Sequence, residues 1–384
     1  MSNKTNNEEH GRFGIFSFFT GAGFLDLGFE KAGFKSYFAS EIDGNFAAVY
    51  RYSRRQMKIA EPVYGLHEGD VCEYLDDAKK SAELGRMVNN AKKEVSLVGF
   101  IGGPPCPDFS VANANAQGED GKRGQLTRVY VEIICKQKPD FFVLENVKGL
   151  ISTAKHRAFF QRMTTQLKDC GYATTYRLIN ALEYGAAQDR QRIILVGVKR
   201  SLCKGYFDRD TNQLHNFPWG DFIRFPMDAV SKACWPGVDG FVENGKRDMP
   251  DGVIRELTVQ HWFDKNDVAN HPNANDFFIP RAGLAKMRVY AEGDDSKKCY
   301  KRLHRWRYSP TACYGNNEVH LHPYKARRLS VAETLAIQSL PKAFALPPEI
   351  PLSSKFKTIG NGVPYVAANG VAKTLMAFLK EIAK

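Results

Sequence analysis

Between Phe13 and Lys199 short apolar runs alternate with stretches of helical periodicity, and this alternation constrains the fold more than any other feature of the chain. "FGIFSFF" reads as a buried strand, "TGAG" as a turn and "FLDLGFEKAG" as the helix after it. "KSYFASEID" reads as a second strand and "NFAAVYRYSRRQ" as its helix. "VSLVGFIGG" and "DFFVLENV" are two further buried strands, with the helix "RVYVEIICKQ" between them. The helix "HRAFFQRMTTQLKDCG" closes at Gly171, and "ATTYRLINA" and "RQRIILVGVKR" follow as a hairpin-related pair at the sheet edge. Strands and helices in this order predict an α/β fold around one sheet.

Beyond residue 200 the pattern loosens. Pro, Gly, Trp, Asp and Asn crowd residues 216 to 280, and neither a period of 3.6 nor one of 2 is sustained. This predicts an irregular second, smaller domain. Order returns with "LSVAETLAIQSLP", where Ser330 stands three residues before Glu333, the spacing of a capping box. "VPYVAANGVAKTLMAFLKEIA" closes the chain as an amphipathic helix. The expected division is 12–199 for the first domain, 200–325 for the second and 326–384 for a return to the first.

Charge suggests the partner. The chain carries a net charge of +12, and from Lys297 to Arg328 nine Lys or Arg face one acid, Glu318. Tyr300, Trp306, Tyr308, Tyr314 and Tyr324 are interleaved with them, a pattern suited to phosphates and stacked bases. Cysteines at 72, 106, 135, 170, 203, 234, 299 and 313 form no C-x-x-C, which supports neither a zinc cluster nor a disulfide scaffold and predicts mostly buried thiols. No metal is expected. The start "MSNKTNNEEH" lacks a hydrophobic signal core, and no apolar stretch approaches the ~20 residues of a membrane span, so a cytoplasmic protein is expected.

The candidate chemistry gathers at strand ends. "FFTGAG" offers a glycine turn where a ligand can approach the backbone, with Glu41 ending the second strand and Asp70 in "EGDV" placed to end a third. Singly, each acid reads as readily as a cap or turn residue. Together they favour a nucleoside cofactor, with Glu41 on a ribose hydroxyl pair and Asp70 on an adenine amino group. Cys106, in "GGPPCPDFS", stands between prolines at the carboxyl end of a fourth strand, where open α/β sheets place ligands and a stiff backbone can aim a nucleophile. Glu145 in "LENV" ends an adjoining strand, an expensive place for an acid unless it is paired or functional. Arg190 and Arg192 in "QDRQR" alternate onto one face of the next strand, able to neutralise that acid or hold a substrate oxygen.

The ordered set "FFTGAGFLDLGFE", "ASEID", "GGPPCPDFS", "LENV", "QDRQRIILVG", "RRLSVAETLAIQSLP" and "IGNGVPYVAANGVA" resembles the cytosine-5 DNA methyltransferases of bacterial restriction-modification type. The likeness runs from about Phe13 to the C-terminus, apart from roughly residues 200 to 310. It implies a Rossmann-like methyltransferase sheet with S-adenosylmethionine as cofactor, held at Phe19, Gly21, Ala22, Gly23, Glu41, Ile42, Asp70, Val71, Pro105, Leu126, Asn361 and Gly362. It makes Cys106 the nucleophile, Glu145 the acid at ring nitrogen 3 and Arg192 the arginine at the cytosine carbonyl, with Arg190 beside it. Residues 107 to 127 match the loop that closes over DNA, and Thr311 and Ala312 the end of the recognition domain. Pro107 stands where the family usually has Gln, and Ser17 and Phe24 replace its usual Asp and third glycine.

The implied reaction follows from aromatic reactivity. Carbon 5 of cytosine is a poor nucleophile until a thiolate adds at carbon 6. The base must leave the duplex to be reached. The H-x-E and P-C-x-x-C pair of cytidine deaminases does not occur here. Residues 200 to about 325 are the expected target-recognition region, and double-stranded DNA the expected partner. A monomer with no obligate protein partner is expected, and a cognate restriction endonuclease is compatible with the resemblance. The alternative is the tRNA-methylating branch of the family, whose Cys-Phe-Thr tripeptide this chain lacks.

Overall fold

The computed structural model describes residues 12–105, 124–280, 282–297, 299–312, 314 and 320–383. Its centre is a seven-stranded sheet in the order β3-β2-β1-β4-β5-β7-β6. The strands are β1 (Phe13–Phe18), β2 (Lys35–Glu41), β3 (Leu66–Glu68), β4 (Leu97–Gly102), β5 (Phe141–Val147), β6 (Tyr172–Asn180) and β7 (Gln191–Lys199). β7 runs antiparallel to both its neighbours, and every other pairing is parallel. The chain winds outward from β1 to β3, then returns to β4 on the other side of β1. That reversal opens a crevice at the carboxyl ends of β1 and β4, where ligands of such sheets bind.

Helices cover both faces because the strands are apolar on both. On one side α1 (Phe24–Ala32) packs with the C-terminal helix, and Phe29, Leu375 and Phe378 share a core with Ile15, Val143 and Val196. On the other, α2 (Gly44–Met57) precedes β3, while α3 (Ala78–Glu94), α4 (Gly124–Gln137) and α5 (Ala154–Asp169) cover Phe100, Phe142 and Leu195. α3 went unread in the sequence, since lysines and asparagines dilute its apolar stripe of Leu84, Val88 and Ala91. Cys135 of α4 and Cys170, which caps α5, form a disulfide, which corrects the expectation of separate thiols. A separation of 35 residues across a strand and two helices leaves no spacing signature of that contact.

The irregular span begins gradually. Cys203, Leu214 and Phe217 still pack in the core beside Phe378, and Leu214 N–H donates to Thr174 O. Beyond, regular structure shrinks to α6 (Val259–Lys265) and helical turns at Met227–Lys232 and Leu284–Val289. Buried polar clamps add to small apolar clusters there. Arg302 is wholly buried and donates to the carbonyls of Met287, Tyr290, His322 and Lys325. Arg305 grips Glu292 at two points, 2.8 and 2.9 Å, and His304 Nε2 lies 2.9 Å from Asp239. The basic segment is therefore not one solvated phosphate-binding surface. Several of its cations help hold this span together, beside small apolar clusters such as that of Val259, Trp262, Phe263 and Leu303.

The Ser330–Glu333 capping box opens α7 (Val331–Ile337) as expected. α8 (Leu352–Asn361) and α9 (Tyr365–Ile382) then bring the chain back to the sheet, where Asn369 Nδ2 donates to Gly28 O of α1.

Candidate active site

A cavity of about 720 Å³ lies at the carboxyl ends of β1, β2, β4 and β5. It is lined by Phe19, Gly21, Ala22, Glu41, Ile42, Asp70, Val71, Pro105, Leu126, Glu145, Arg190, Arg192, Asn361 and Gly362. Two expected residues stand apart. Gly23 caps α1 with φ 80°, and a Cβ there would come within 2.7 Å of the Tyr50 ring, so its part is to let the turn pack. Cys106 lies outside the described residues, as does most of the expected loop at 107–127.

One end of the cavity is built by the glycine turn. Gly21 has φ 57°, and a Cβ on it would meet no atom within 4 Å, because that direction opens into the cavity. Glu41 Oε2 accepts from Gly21 N–H at 2.8 Å, and its Oε1 from Ile42 and Asp43 N–H at 3.0 and 2.9 Å. The carboxylate thus locks the turn after β1 to the end of β2. Burial pushes its pKa up, against the pull of these three amides. Asp70 follows β3 and accepts from Cys72 N–H, a local turn that fixes the carboxylate at the rim.

The other end holds Glu145 and Arg192. Their side chains rise from neighbouring strands β5 and β7, with Arg192 Nε 2.9 Å from Glu145 Oε1. Burial raises the Glu145 pKa, and the charges of Arg192 and Arg190 oppose the rise. Arg190 is itself buried, and its Nη1 and Nη2 donate to Ala312 O at 3.0 Å and Gly360 O at 2.9 Å. It therefore joins the end of the irregular span to α8 across the cavity wall, while contributing its charge to Glu145. Thr311 Oγ1 donates to Asp189 O, and Ala312 N–H to Gln188 Oε1, so the whole Gln188–Arg190 segment anchors that junction.

Sequence reading missed several lining groups. Asp26, on the first turn of α1, is fully buried and accepts from Ser17 and Thr20 hydroxyls at 2.7 and 2.5 Å. Its pKa is raised by burial, against those two hydrogen bonds. An acid three residues beyond the last glycine of the turn was the available cue. Asn146 and Thr358 line the cavity, and their buried Nδ2 and Oγ1 have no hydrogen-bond partner among the described residues. Unsatisfied polar atoms on a cavity wall are costly unless a ligand meets them.

These features fit a nucleoside-bearing cofactor beside a flat base: the volume, the open face of Gly21, acids at successive strand ends and a buried acid–arginine pair beyond them. Among the described residues no helix is long and apolar enough to cross a membrane, and no group of His, Cys, Asp and Glu could hold a metal ion.

The comparisons agree. The family model for C-5 cytosine-specific DNA methylases matches residues 13–377. The Type II methyltransferase M.NmeDI of Neisseria meningitidis serogroup C is 54% identical over 367 residues, covering 95% of this chain and 84% of that protein. M.XorII of Xanthomonas oryzae pv. oryzae is 37% identical, covering 94% and 84%. A prophage-encoded Escherichia coli protein, described as a DNA modification methyltransferase, shares the fold with a TM-score of 0.62 at 21% identity, over 96% of this chain and 99% of its own. The chain belongs to the C-5 cytosine-specific DNA methylase family and is a site-specific DNA (cytosine-5-)-methyltransferase that uses S-adenosylmethionine.

Proposed function

We propose that the chain modifies one short duplex sequence as the methylating half of a restriction-modification pair, with Cys106 as nucleophile and Glu145 as acid. The observation that carries this reading is that one cavity joins the glycine turn and Glu41 at one end to the Glu145–Arg192 pair at the other. S-adenosylmethionine, when bound, supplies an electrophilic methyl group. Phe19, Gly21, Glu41, Ile42 and Asp70 would hold its nucleoside part, and Asn361 and Gly362 face the same space.

The chain's own residues prepare the base. The Cys106 thiolate adds at carbon 6 of the flipped cytosine, and electron density moves to carbon 5 and ring nitrogen 3. Glu145, kept protonation-prone by burial, gives a proton to nitrogen 3 and so stabilises the adduct. Arg192 holds Glu145 in place and offers its remaining donors to the cytosine carbonyl. After transfer, a base removes the proton at carbon 5 and the thiolate leaves.

Residues 200–325 read the DNA in this proposal, supported by their irregular make-up and by the hydrogen bonds that fasten Thr311 and Ala312 to the Gln188–Asp189 segment just before β7. The protein acts in the cytoplasm as a monomer without an obligate partner, and a cognate endonuclease shares its site. The two relatives named Type II methyltransferases support that pairing. Expression in a methylation-free host, followed by mapping of 5-methylcytosine, tests it. One consensus sequence is expected; methylation scattered without a consensus, or found only in RNA, would overturn it.

A further inference from the structure

Two adjacent arginines in the returning chain have different partners. Arg327 lies over the Phe277 ring at 4.7 Å, and Glu333 takes its guanidinium through hydrogen bonds of 2.8 and 2.6 Å. Arg328 lies beside the rings of Phe278, at 5.5 Å, and Tyr300, at 5.9 Å. Phe278 stacks on Phe356 at 5.4 Å, and Phe356 meets Tyr314, a wall residue of the catalytic cavity. Arg328 therefore stands on a shelf continuous with the cavity wall. Arg328 is half-buried, and Ile279, next to Phe278, is 78% exposed, so the shelf borders solvent.

Among the described residues no carboxylate pairs with Arg328, and its guanidinium makes no hydrogen bond. This sets it apart from Arg302, Arg305 and Arg327, each of which gives several hydrogen bonds to carbonyl or carboxylate oxygens of the protein. Lys286, exposed and equally without a carboxylate, lies over the same Tyr300 ring at 5.3 Å. Tyr300 is in turn stacked on Tyr290. Aromatic packing thus orients two cations on one ring without neutralising either. An anion arriving beside the Tyr300 ring is attracted by both charges.

We infer that Arg328 and Lys286 grip the phosphate backbone of the DNA beside the catalytic cavity. A guanidinium braced by rings keeps its planar donor edge free for two phosphate oxygens, and the ammonium adds a point charge. These contacts set the position of the duplex and carry no base preference. The inference rests on duplex DNA as the substrate.

The test compares wild type with Arg328→Gln, Lys286→Gln and the double variant, binding a short duplex with the mapped methylation site and a scrambled duplex over a series of sodium chloride concentrations. Losing one phosphate contact should flatten the slope of log affinity against log salt by about 0.9. The flattening should appear on both duplexes alike and leave the ratio between them unchanged, while Arg328→Lys should keep the wild-type slope. Cofactor affinity is the check on folding, and Lys286→Gln, at an exposed position, keeps the test open if Arg328→Gln does not fold. Unchanged slopes in folded variants would overturn the inference. So would a collapse of the ratio between duplexes, which would make Arg328 a base reader. A wild-type affinity indifferent to salt would contradict the DNA reading itself, before this assignment is reached.

Discussion

Arg192 Nε lies 2.9 Å from Glu145 Oε1, an arginine and an acid facing the same way from antiparallel strands β7 and β5. The pair sets two opposing influences on one proton. Burial favours the neutral acid, and the guanidinium favours the carboxylate.

A pH dependence follows. If protonated Glu145 is the working form, turnover is lost as pH rises through its pKa. Replacing Arg192 by Gln removes a charge that lowers that pKa, so the loss should move to higher pH. Turnover itself should fall by roughly 10²–10⁴-fold in Glu145→Gln, the span of general acid catalysis. Rate profiles of wild type and Arg192→Gln decide the matter; a limb that stays put or moves down means that the proton belongs elsewhere.

The cofactor end should respond separately. Glu41→Ala removes the carboxylate that three backbone amides share and should weaken S-adenosylmethionine binding by roughly 1.5–3 kcal/mol, the range for a charged hydrogen bond. Gly21→Ala should also weaken binding. Its cost in thermal stability should be that of the left-handed φ of 57° alone, roughly 1 kcal/mol, because its methyl group meets no atom within 4 Å. Gly23→Ala should lower stability first, since its methyl group meets Tyr50. Calorimetry and melting curves on the three variants, with Glu145→Gln as control, separate these effects. Equal loss of cofactor in Glu145→Gln would misplace Glu145.

Arg302 offers a contrast to surface cations. Its guanidinium is buried on four carbonyl groups, so Arg302→Gln should cost about 1–3 kcal/mol of stability or more through stranded acceptors. Thermal unfolding measures it. A stable variant with a flattened salt dependence of DNA binding would restore the surface reading drawn from the sequence.

Legibility differed by region for physical reasons. The strands were readable because burial on both faces writes continuous apolar runs, as in "FGIFSFF" and "DFFVLEN". Strand ends carry ligands in such sheets, so Glu41, Asp70 and Glu145 could be placed before the fold was seen. Asp26 was missed because an acid on a helix's first turn looks like ordinary dipole matching. The charge from Lys297 to Arg328 was legible only as a total. Net charge counts cations without saying which find carbonyls or carboxylates, and Arg302, Arg305 and Arg327 all do. Arg190 read as a group that neutralises Glu145 or holds a substrate oxygen. Its charge does act on Glu145, but its length also lets it span to Ala312 and Gly360, contacts 122 and 170 residues away, which spacing could not show.

The central claim is a covalent step at Cys106, and one measurement meets it directly. Wild-type protein and Cys106→Ser are incubated with S-adenosylmethionine and duplex DNA whose target cytosine is 5-fluorocytosine, which blocks the final loss of the carbon-5 substituent. Wild type should yield a denaturation-resistant protein–DNA adduct that peptide mapping assigns to Cys106, and the serine variant should bind DNA but form none. An adduct mapped to another residue, or methyl transfer at wild-type rate by Cys106→Ser, would contradict the account.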